Sequence, residues 1–274
     1  MYDGFFNILH AFENAGLESP MKKTLRVLDI VSNGSVSKMD GAFPLKVDTE
    51  FEDFIDLCCS GIPLEYALGY ANFMNMCFCC APGALVPRKE TELLAKTAIS
   101  LARKIKKPEE PLLVADMGTG SGNLAVSIAT HMENTRILAC DISPKAVELA
   151  WINVRRHNLQ SRISLFVGDL FTPLEEKNFH GLLDMVVCNP PYIPTGSLAK
   201  LTRETIDHEP VVALDAGVYG IDIFRKLIMQ SPDFLKPGGL LVFETGIKQD
   251  KLVTRLLQQS GSYQQIKYYT DNSG

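Results

Sequence analysis

The chain has no excess of positive charge: 27 Lys and Arg against 32 Asp and Glu leave a net charge of −5 and an isoelectric point near 5.6. That argues against the basic field with which proteins track nucleic-acid backbones, so direct nucleic-acid binding is not expected. None of the seven cysteines (Cys58, Cys59, Cys77, Cys79, Cys80, Cys140, Cys188) sits in a spaced Cys/His pattern, which argues against a zinc site. They read as reduced thiols, and no metal is expected. The segment Met1-Tyr2-Asp3-Gly4-Phe5-Phe6 lacks the positive flank and small-residue cleavage site of a secretion signal, so the expected location is cytoplasmic. Low-complexity arms are missing too. One uncharged run, Tyr66–Pro87, approaches the ~20 residues that span a bilayer, but Gly69, Asn72, Asn75, Pro82 and Gly83 interrupt it. It reads as a buried hairpin or interdomain connector, and no membrane partner is expected.

What is present is an ordinary globular composition, 46% hydrophobic and 22% charged over 274 residues, with room for one large domain and one small one. Phe5, Leu9 and Phe12 share a helical face, as do Leu25, Leu28 and Val31. Thr49-Glu50-Phe51-Glu52 has the form of a capping box ahead of Phe51, Phe54, Ile55 and Cys58 at helical spacing. Residues 1–62 are therefore expected to be a small helical domain, 63–89 a connector or hairpin, and 90–274 a second domain. That second domain opens with a helix predicted from Glu90 into Arg103-Lys104-Ile105-Lys106-Lys107, stopped by Pro108. From Pro111 onward, apolar runs alternate with helical segments. Leu112–Ala115, Arg136–Cys140, Ile163–Val167, Leu183–Cys188 and Leu240–Phe243 read as buried parallel strands of a doubly wound, Rossmann-like α/β domain. Ligands of such a sheet gather at the carboxyl ends of the strands.

The first of these strands ends in Asp116-Met117-Gly118-Thr119-Gly120-Ser121-Gly122-Asn123. Glycines at 118, 120 and 122 make a tight turn that lets a ligand approach the backbone, and Asn123 stands where a dinucleotide fingerprint would need another glycine. The pattern argues against NAD. Asp141, followed by Ile142, closes the second strand about 20 residues on, where an acid accepts from ribose hydroxyls. Asp169 and Leu170 close the third, placing a carboxylate and an apolar group where an adenine could be held. Each Asp alone also fits an ordinary turn or cap; the three strand ends together point to a nucleoside.

The fourth strand ends in Asn189-Pro190-Pro191-Tyr192. An amide or aniline-like nitrogen is a poor nucleophile, so its reaction depends on being held still. The Asn189 side-chain oxygen and the Pro190 carbonyl can each accept one N–H of an NH2 group, and Tyr192 can wall a planar group. The bland reading is a turn after a strand.

These residues resemble the release-factor glutamine methyltransferases. The likeness runs through Pro63–Gly69, Val86-Pro87-Arg88-Lys89-Glu90-Thr91-Glu92, the Asp116–Gly122 loop, Asn189–Tyr192, His208-Glu209-Pro210 with Ala213-Leu214, Leu235–Gly239 and Glu244-Thr245-Gly246. The resemblance implies S-adenosylmethionine as cofactor, with S-adenosylhomocysteine as product. It implies a peptide chain release factor as protein partner, methylated on the glutamine of its Gly-Gly-Gln tripeptide. By it, Asp116, Gly118, Thr119, Gly120, Ser121, Gly122, Asp141, Ile142, Asp169, Leu170 and Asn189 would contact the cofactor and Asn189, Pro190, Pro191 and Tyr192 the glutamine. His208 and Glu209 would be substrate-side loop residues; an ordinary exposed loop is the other reading of that pair. Lys89 and Ala216 depart from the usual proline and glycine of the family, and a strand is expected at Tyr263–Tyr268, left as an open edge. Two other enzymatic readings keep the same site: a relative acting on another protein or a small-molecule amide, and an exocyclic amino methyltransferase on a nucleobase. A fold that has lost turnover and only binds is a third.

Overall fold

The computed structural model describes residues 2–32, 50–105 and 110–270. Three helices come first, α1 (Tyr2–Asn14), α2 (Pro20–Ser32) and α3 (Glu50–Cys59), followed by the short α4 (Leu64–Leu68). Their core is built from Ile8, Phe12, Val27, Phe54, Cys58, Leu64, Leu68 and Tyr70, so the apolar periodicity of α1 and α3 is used as expected. In α2 the expected face is wrong: Leu25 is exposed, while Thr24 and Val27 are buried. Both stripes pass through or beside Leu28, and a short apolar spacing does not distinguish the two rotations. Thr49, with its capping box, and the side chains of Val31 and Phe51 lie outside the described residues.

The uncharged run is a hairpin. Strands β1 (Tyr70–Phe73) and β2 (Met76–Cys79) pair antiparallel with Phe73 opposite Met76. Met74 and Asn75 form the two-residue turn, both at positive φ, the conformation that matches the twist of a tight hairpin. No helix among the described residues is long and apolar enough to cross a membrane.

The larger region begins with α5 (Glu92–Ala102). This helix stops before the basic run that was expected to continue it. Ile105 packs partly buried against the core, and its amide closes on Ala102 at 3.0 Å, turning the chain off the helix axis; Lys106, Lys107 and Pro108 lie outside the described residues. Then β3 (Leu112–Met117), α6 (Asn123–His131), β4 (Thr135–Asp141), α7 (Pro144–Arg156), β5 (Ile163–Val167), α8 (Thr172–Glu175), β6 (Leu183–Cys188), α9 (Arg203–His208), α10 (Asp222–Phe234), β7 (Leu235–Phe243) and α11 (Asp250–Ser260) follow. The five strands β3–β7 pair in parallel in the order β5-β4-β3-β6-β7. Successive residues face opposite layers, as the pleat requires. Val114, Ile137, Ala139, Met185 and Val187 meet α5, α6 and α7 on one face; Ala115, Met117, Leu138, Cys140, Val186 and Cys188 meet Phe171, Leu174, Leu227 and Phe234 on the other.

β3 runs two residues past its expected end to Met117, and β4 is longer by one residue at each end; at the far edge the differences are larger. β7 starts at Leu235, not Leu240, because Leu235 pairs with Leu183 before a register shift at Asp184. The buried Asp184 carboxylate accepts from Leu113 N at 2.9 Å and from Lys236 Nζ at 3.1 Å, which satisfies the irregularity. Tyr263–Tyr268 is not a strand. Its side chains cover α10 and α11 instead: Tyr263 Oη donates to Ile228 O at 2.8 Å, and Tyr268 Oη donates to Asp250 O at 2.9 Å. Among the described residues β7 is the edge of the sheet.

Candidate active site

Chain order along the sheet reverses between β3 and β6, and both strands end in loops that line one cavity. Gly118 and Gly120 have positive φ of 70° and 56°, and a Cβ on either would meet nothing within 4 Å, so bare backbone borders open space there. Gly122, at φ 80°, serves packing instead, since a Cβ there would come within 3.2 Å of Ala150 Cβ and its absence lets the start of α6 settle on α7.

Hydrogen bonds hold this loop from beneath. The fully buried Asp116 accepts from Thr119 Oγ1 at 2.7 Å and Ala125 N at 3.1 Å through Oδ2, while its Oδ1 has no partner. Burial pushes its carboxyl up to about 7, against those two hydrogen bonds and with the nearby Asp141 charge adding to the rise. Asp141 accepts from Gly120 N at 2.8 Å with one oxygen and from Ser143 N at 2.9 Å with the other. Burial raises its carboxyl above the usual range, opposed by these two amides. The carboxylate is thus fixed in the cavity wall with lone pairs to spare. Ser121 and Thr119 are almost fully buried, and the Ser121 carbonyl accepts from Asn153 Nδ2 at 2.8 Å. Asn153 also exchanges hydrogen bonds with both backbone groups of Cys79, which ties the β1–β2 hairpin to the glycine loop.

Across the cavity, Ile142, Gly168, Asp169 and Leu170 line the wall beyond β4 and β5. Leu170 sits at φ 46°, an uncommon left-handed position for a branched apolar residue and a mark of local strain. One Asp169 oxygen accepts from Lys226 Nζ at 2.8 Å, so only the other faces a ligand unencumbered.

Asn189 follows β6. Its Nδ2 donates to Thr91 Oγ1 at 3.0 Å, and its Oδ1 is buried without a partner. Pro190 and Pro191 also line the cavity, and proline supplies no backbone donor there. Behind them, Gln249 Nε2 donates to Tyr192 O at 2.9 Å and to Gly220 O at 3.1 Å, while Gly246 leaves room for the Tyr192 ring. Glu244 lies beside this turn at the end of β7, with Oε2 buried and unpartnered. Burial raises its carboxyl, opposed by the neighbouring Thr91 and Tyr192 hydroxyls.

His208 and Glu209 do not lie together on an exposed loop. Glu209 is 3% exposed and turned inward, accepting from Val86 N at 3.2 Å and pairing with Arg88, which lines the cavity. His208 lies next to Gly61 of the helical region. Glu209 fastens the segment before α5 beside the cavity. Sequence reasoning missed Thr91, Asn153 and Glu244 as site residues; the only signal was that Thr91 and Glu244 fall inside segments that carry the family likeness. Among the described residues no cluster of His, Cys, Asp and Glu is placed to hold a metal.

Comparison with known proteins decides the family. The family model described as "Methyltransferase small domain" matches residues 93–217. The "Release factor glutamine methyltransferase" of Moorella thermoacetica is 38% identical over 225 residues, covering 82% of this chain and 76% of that protein. This chain belongs to the release factor glutamine methyltransferase family. The same-named protein of Bacillus cereus is 32% identical over 250 residues, 90% of this chain and 86% of its own. Among solved structures, the hMettl16 catalytic domain, determined with the MAT2A 3'UTR hairpin 6, superposes with a TM-score of 0.53 at 16% identity, over 82% of this chain and 78% of that one. That likeness concerns the fold, a Rossmann-like class I methyltransferase sheet. As a methyltransferase of this family, the chain uses S-adenosylmethionine. The residues fit it: open backbone at Gly118 and Gly120, a fixed carboxylate at Asp141, and an unpartnered acceptor at Asn189 across the same cavity.

Proposed function

We propose that this methyltransferase modifies the side-chain amide nitrogen of the glutamine in the Gly-Gly-Gln tripeptide of a peptide chain release factor. The observation that carries the reading is Asn189 Oδ1, a buried acceptor with no protein partner on the wall of the cofactor cavity. An unmade hydrogen bond of this kind costs about 1–3 kcal/mol unless a ligand completes it. A primary carboxamide has two N–H donors, and Asn189 Oδ1 takes one while the Pro190 carbonyl takes the other. Held this way, the amide nitrogen is oriented without an acid–base pair, and orientation alone contributes up to about 7–11 kcal/mol in well-aligned systems. S-adenosylmethionine supplies, when bound, a methyl group activated by a positively charged sulfur. On this reading Gly118, Gly120 and Ile142 border the cofactor, Asp141 takes its ribose hydroxyls, Asp169 and Leu170 hold the adenine, and Tyr192 walls the glutamine. Asp116, Thr119, Ser121 and Gly122 shape the loop from beneath.

Within this reading the chain divides into a helical region at 1–62, a connector at 63–89 and a catalytic region at 90–274, and it works in the cytoplasm, where release factors are made. The test is methyl transfer from labelled S-adenosylmethionine to a purified bacterial release factor, beside a copy whose Gly-Gly-Gln glutamine is replaced by alanine. Label is expected on the first alone. Label on both copies, or on neither with cofactor binding intact, would overturn the glutamine assignment.

A further inference from the structure

Two walls of the cavity come from distant parts of the chain. One is the glycine loop after β3; the other is the segment that leaves the β1–β2 hairpin, of which Gly83, Ala84 and Val86 line the cavity. Between them runs α7, and both walls are seated on it. A Cβ at Gly122 would come within 3.2 Å of Ala150 Cβ, and one at Gly83 within 2.9 Å of Lys145 Cβ.

Asn153, fully buried on α7, bonds both sides at once. Its amide can sit only one way round, because Cys79 N–H is a donor and must meet the oxygen. Oδ1 accepts from Cys79 N at 2.7 Å, and the two hydrogens of Nδ2 go to Cys79 O at 3.1 Å and Ser121 O at 2.8 Å. On the hairpin side, Cys80 N donates to Gly69 O across the hairpin base, so the neighbouring Cys79 groups point away from β1. One helical turn beyond Asn153, His157 Nε2 donates to Cys77 O at 3.0 Å. The two side chains stand along the open edge of β2 where another strand would otherwise pair. On the loop side, Asn153 holds the Ser121 carbonyl while the next amide, Gly122 N, donates to Thr119 O at 2.8 Å. The peptide that closes the glycine turn is thus held at both of its polar ends.

We propose that Asn153 is a positioning residue for the cofactor: by bonding the glycine loop and the hairpin together it sets the separation of the two cavity walls. Cofactor binding and hairpin order then support each other, since a coupling between two sites acts equally in both directions. The proposal rests on the reading that Gly118 and Gly120 border the cofactor, and not on the identity of the substrate.

The test uses the full chain with S-adenosylhomocysteine as the probe. By calorimetry, Asn153→Leu is expected to raise its Kd about tenfold, as loss of an oriented hydrogen bond to the loop requires. His157→Ala loosens the same hairpin edge but leaves the Ser121 bond intact, so its Kd should stay within about twofold. Should Asn153→Leu not fold, Asn153→Asp keeps the acceptor for Cys79 N, removes both donors, and is expected to weaken binding likewise. Amide hydrogen exchange by NMR reads the coupling itself. In the wild type, saturating S-adenosylhomocysteine should slow exchange of the Cys80 amide about fivefold or more, relative to the Leu112 amide at the opposite end of β3 from the loop; in the Asn153 variants that slowing should vanish. A Cys80 amide indifferent to the probe in the wild type, or equally slowed in the variants, overturns the proposal. So does an equal rise of Kd in Asn153→Leu and His157→Ala, which would make Asn153 a general scaffold residue. A Kd raised by Asp141→Ala but not by Asn153→Leu leaves the loop reading standing and the proposal fallen; a Kd raised by neither discards both.

Discussion

The two loops that meet at the cavity are built on opposite hydrogen-bonding terms. After β3 and β4, nearly every polar group is already engaged by the protein: Thr119 bonds Asp116, both Asp141 oxygens take backbone amides, and the Ser121 carbonyl takes Asn153. After β6 and β7, Asn189 Oδ1 and Glu244 Oε2 are buried with nothing to bond. A cradle that satisfies itself holds its shape before a ligand arrives. Unpaired acceptors are expensive, at about 1–3 kcal/mol each, and make physical sense where a ligand completes them. The first loop system is a mould, and the second is a set of open valences. Asp116 Oδ1 is the exception on the first side, and burial raises the proton affinity of its carboxyl.

The strongest way to break this contrast is Asn189→Ala. It removes the open acceptor and should cut kcat by about a hundredfold or more through lost orientation, while calorimetry finds cofactor affinity within a few-fold. Near-normal single-turnover rates would erase the distinction between the two sides. Asp141→Ala tests the mould. It strips the acceptor from Gly120 N and Ser143 N, so cofactor Kd should rise about tenfold and stability should fall by about 1–3 kcal/mol. A calorimetric Kd unchanged from wild type would mean that the ribose lies elsewhere.

Asp116 sharpens the comparison through pH. Its carboxyl is raised to about 7 in the folded chain from 3.8, so the folded state holds the proton that the unfolded state releases. Stability is therefore greatest below the unfolded value and declines as pH rises through the window from about 4 to about 7, by at most about 1.4 kcal/mol per pH unit for one proton. Asp116→Asn should flatten that slope in urea unfolding; a slope equal to wild type would assign it to other groups. Smallest is the pair Gly118→Ala and Gly122→Ala. Both add about 1–2 kcal/mol of left-handed backbone strain, but only the second also drives a methyl within 3.2 Å of Ala150. Gly122→Ala should have the lower urea midpoint, and equal midpoints would show that α7 yields there.

Much of this architecture was legible in one dimension. β6 runs from Leu183 to Cys188, the bounds its apolar run predicts, because a strand buried on both faces is largely hydrophobic; β5 also keeps its predicted bounds, Ile163 to Val167, although as the edge strand it leaves Ser164 and Val167 exposed. The glycine loop and Asn189-Pro190-Pro191-Tyr192 declared themselves because each places its chemistry within a few consecutive residues. Tyr263–Tyr268 misled because a short polar run carrying Tyr263, Ile266 and Tyr268 can cover a helix pair as well as extend a sheet.

Local sequence by itself determined the alternation of strands and helices, the bare backbone at Gly118 and Gly120, and the amide at Asn189, since propensity, pleat and backbone freedom act over a few residues. Tertiary structure alone decided which way that amide points. Thr91 meets Asn189 across 98 positions, Arg88 meets Glu209 across 121, and Asn153 meets Cys79 across 74. Hydrogen bonds are directional and short-ranged, so partners this far apart along the chain are chosen only when the sheet has stacked its strand ends side by side.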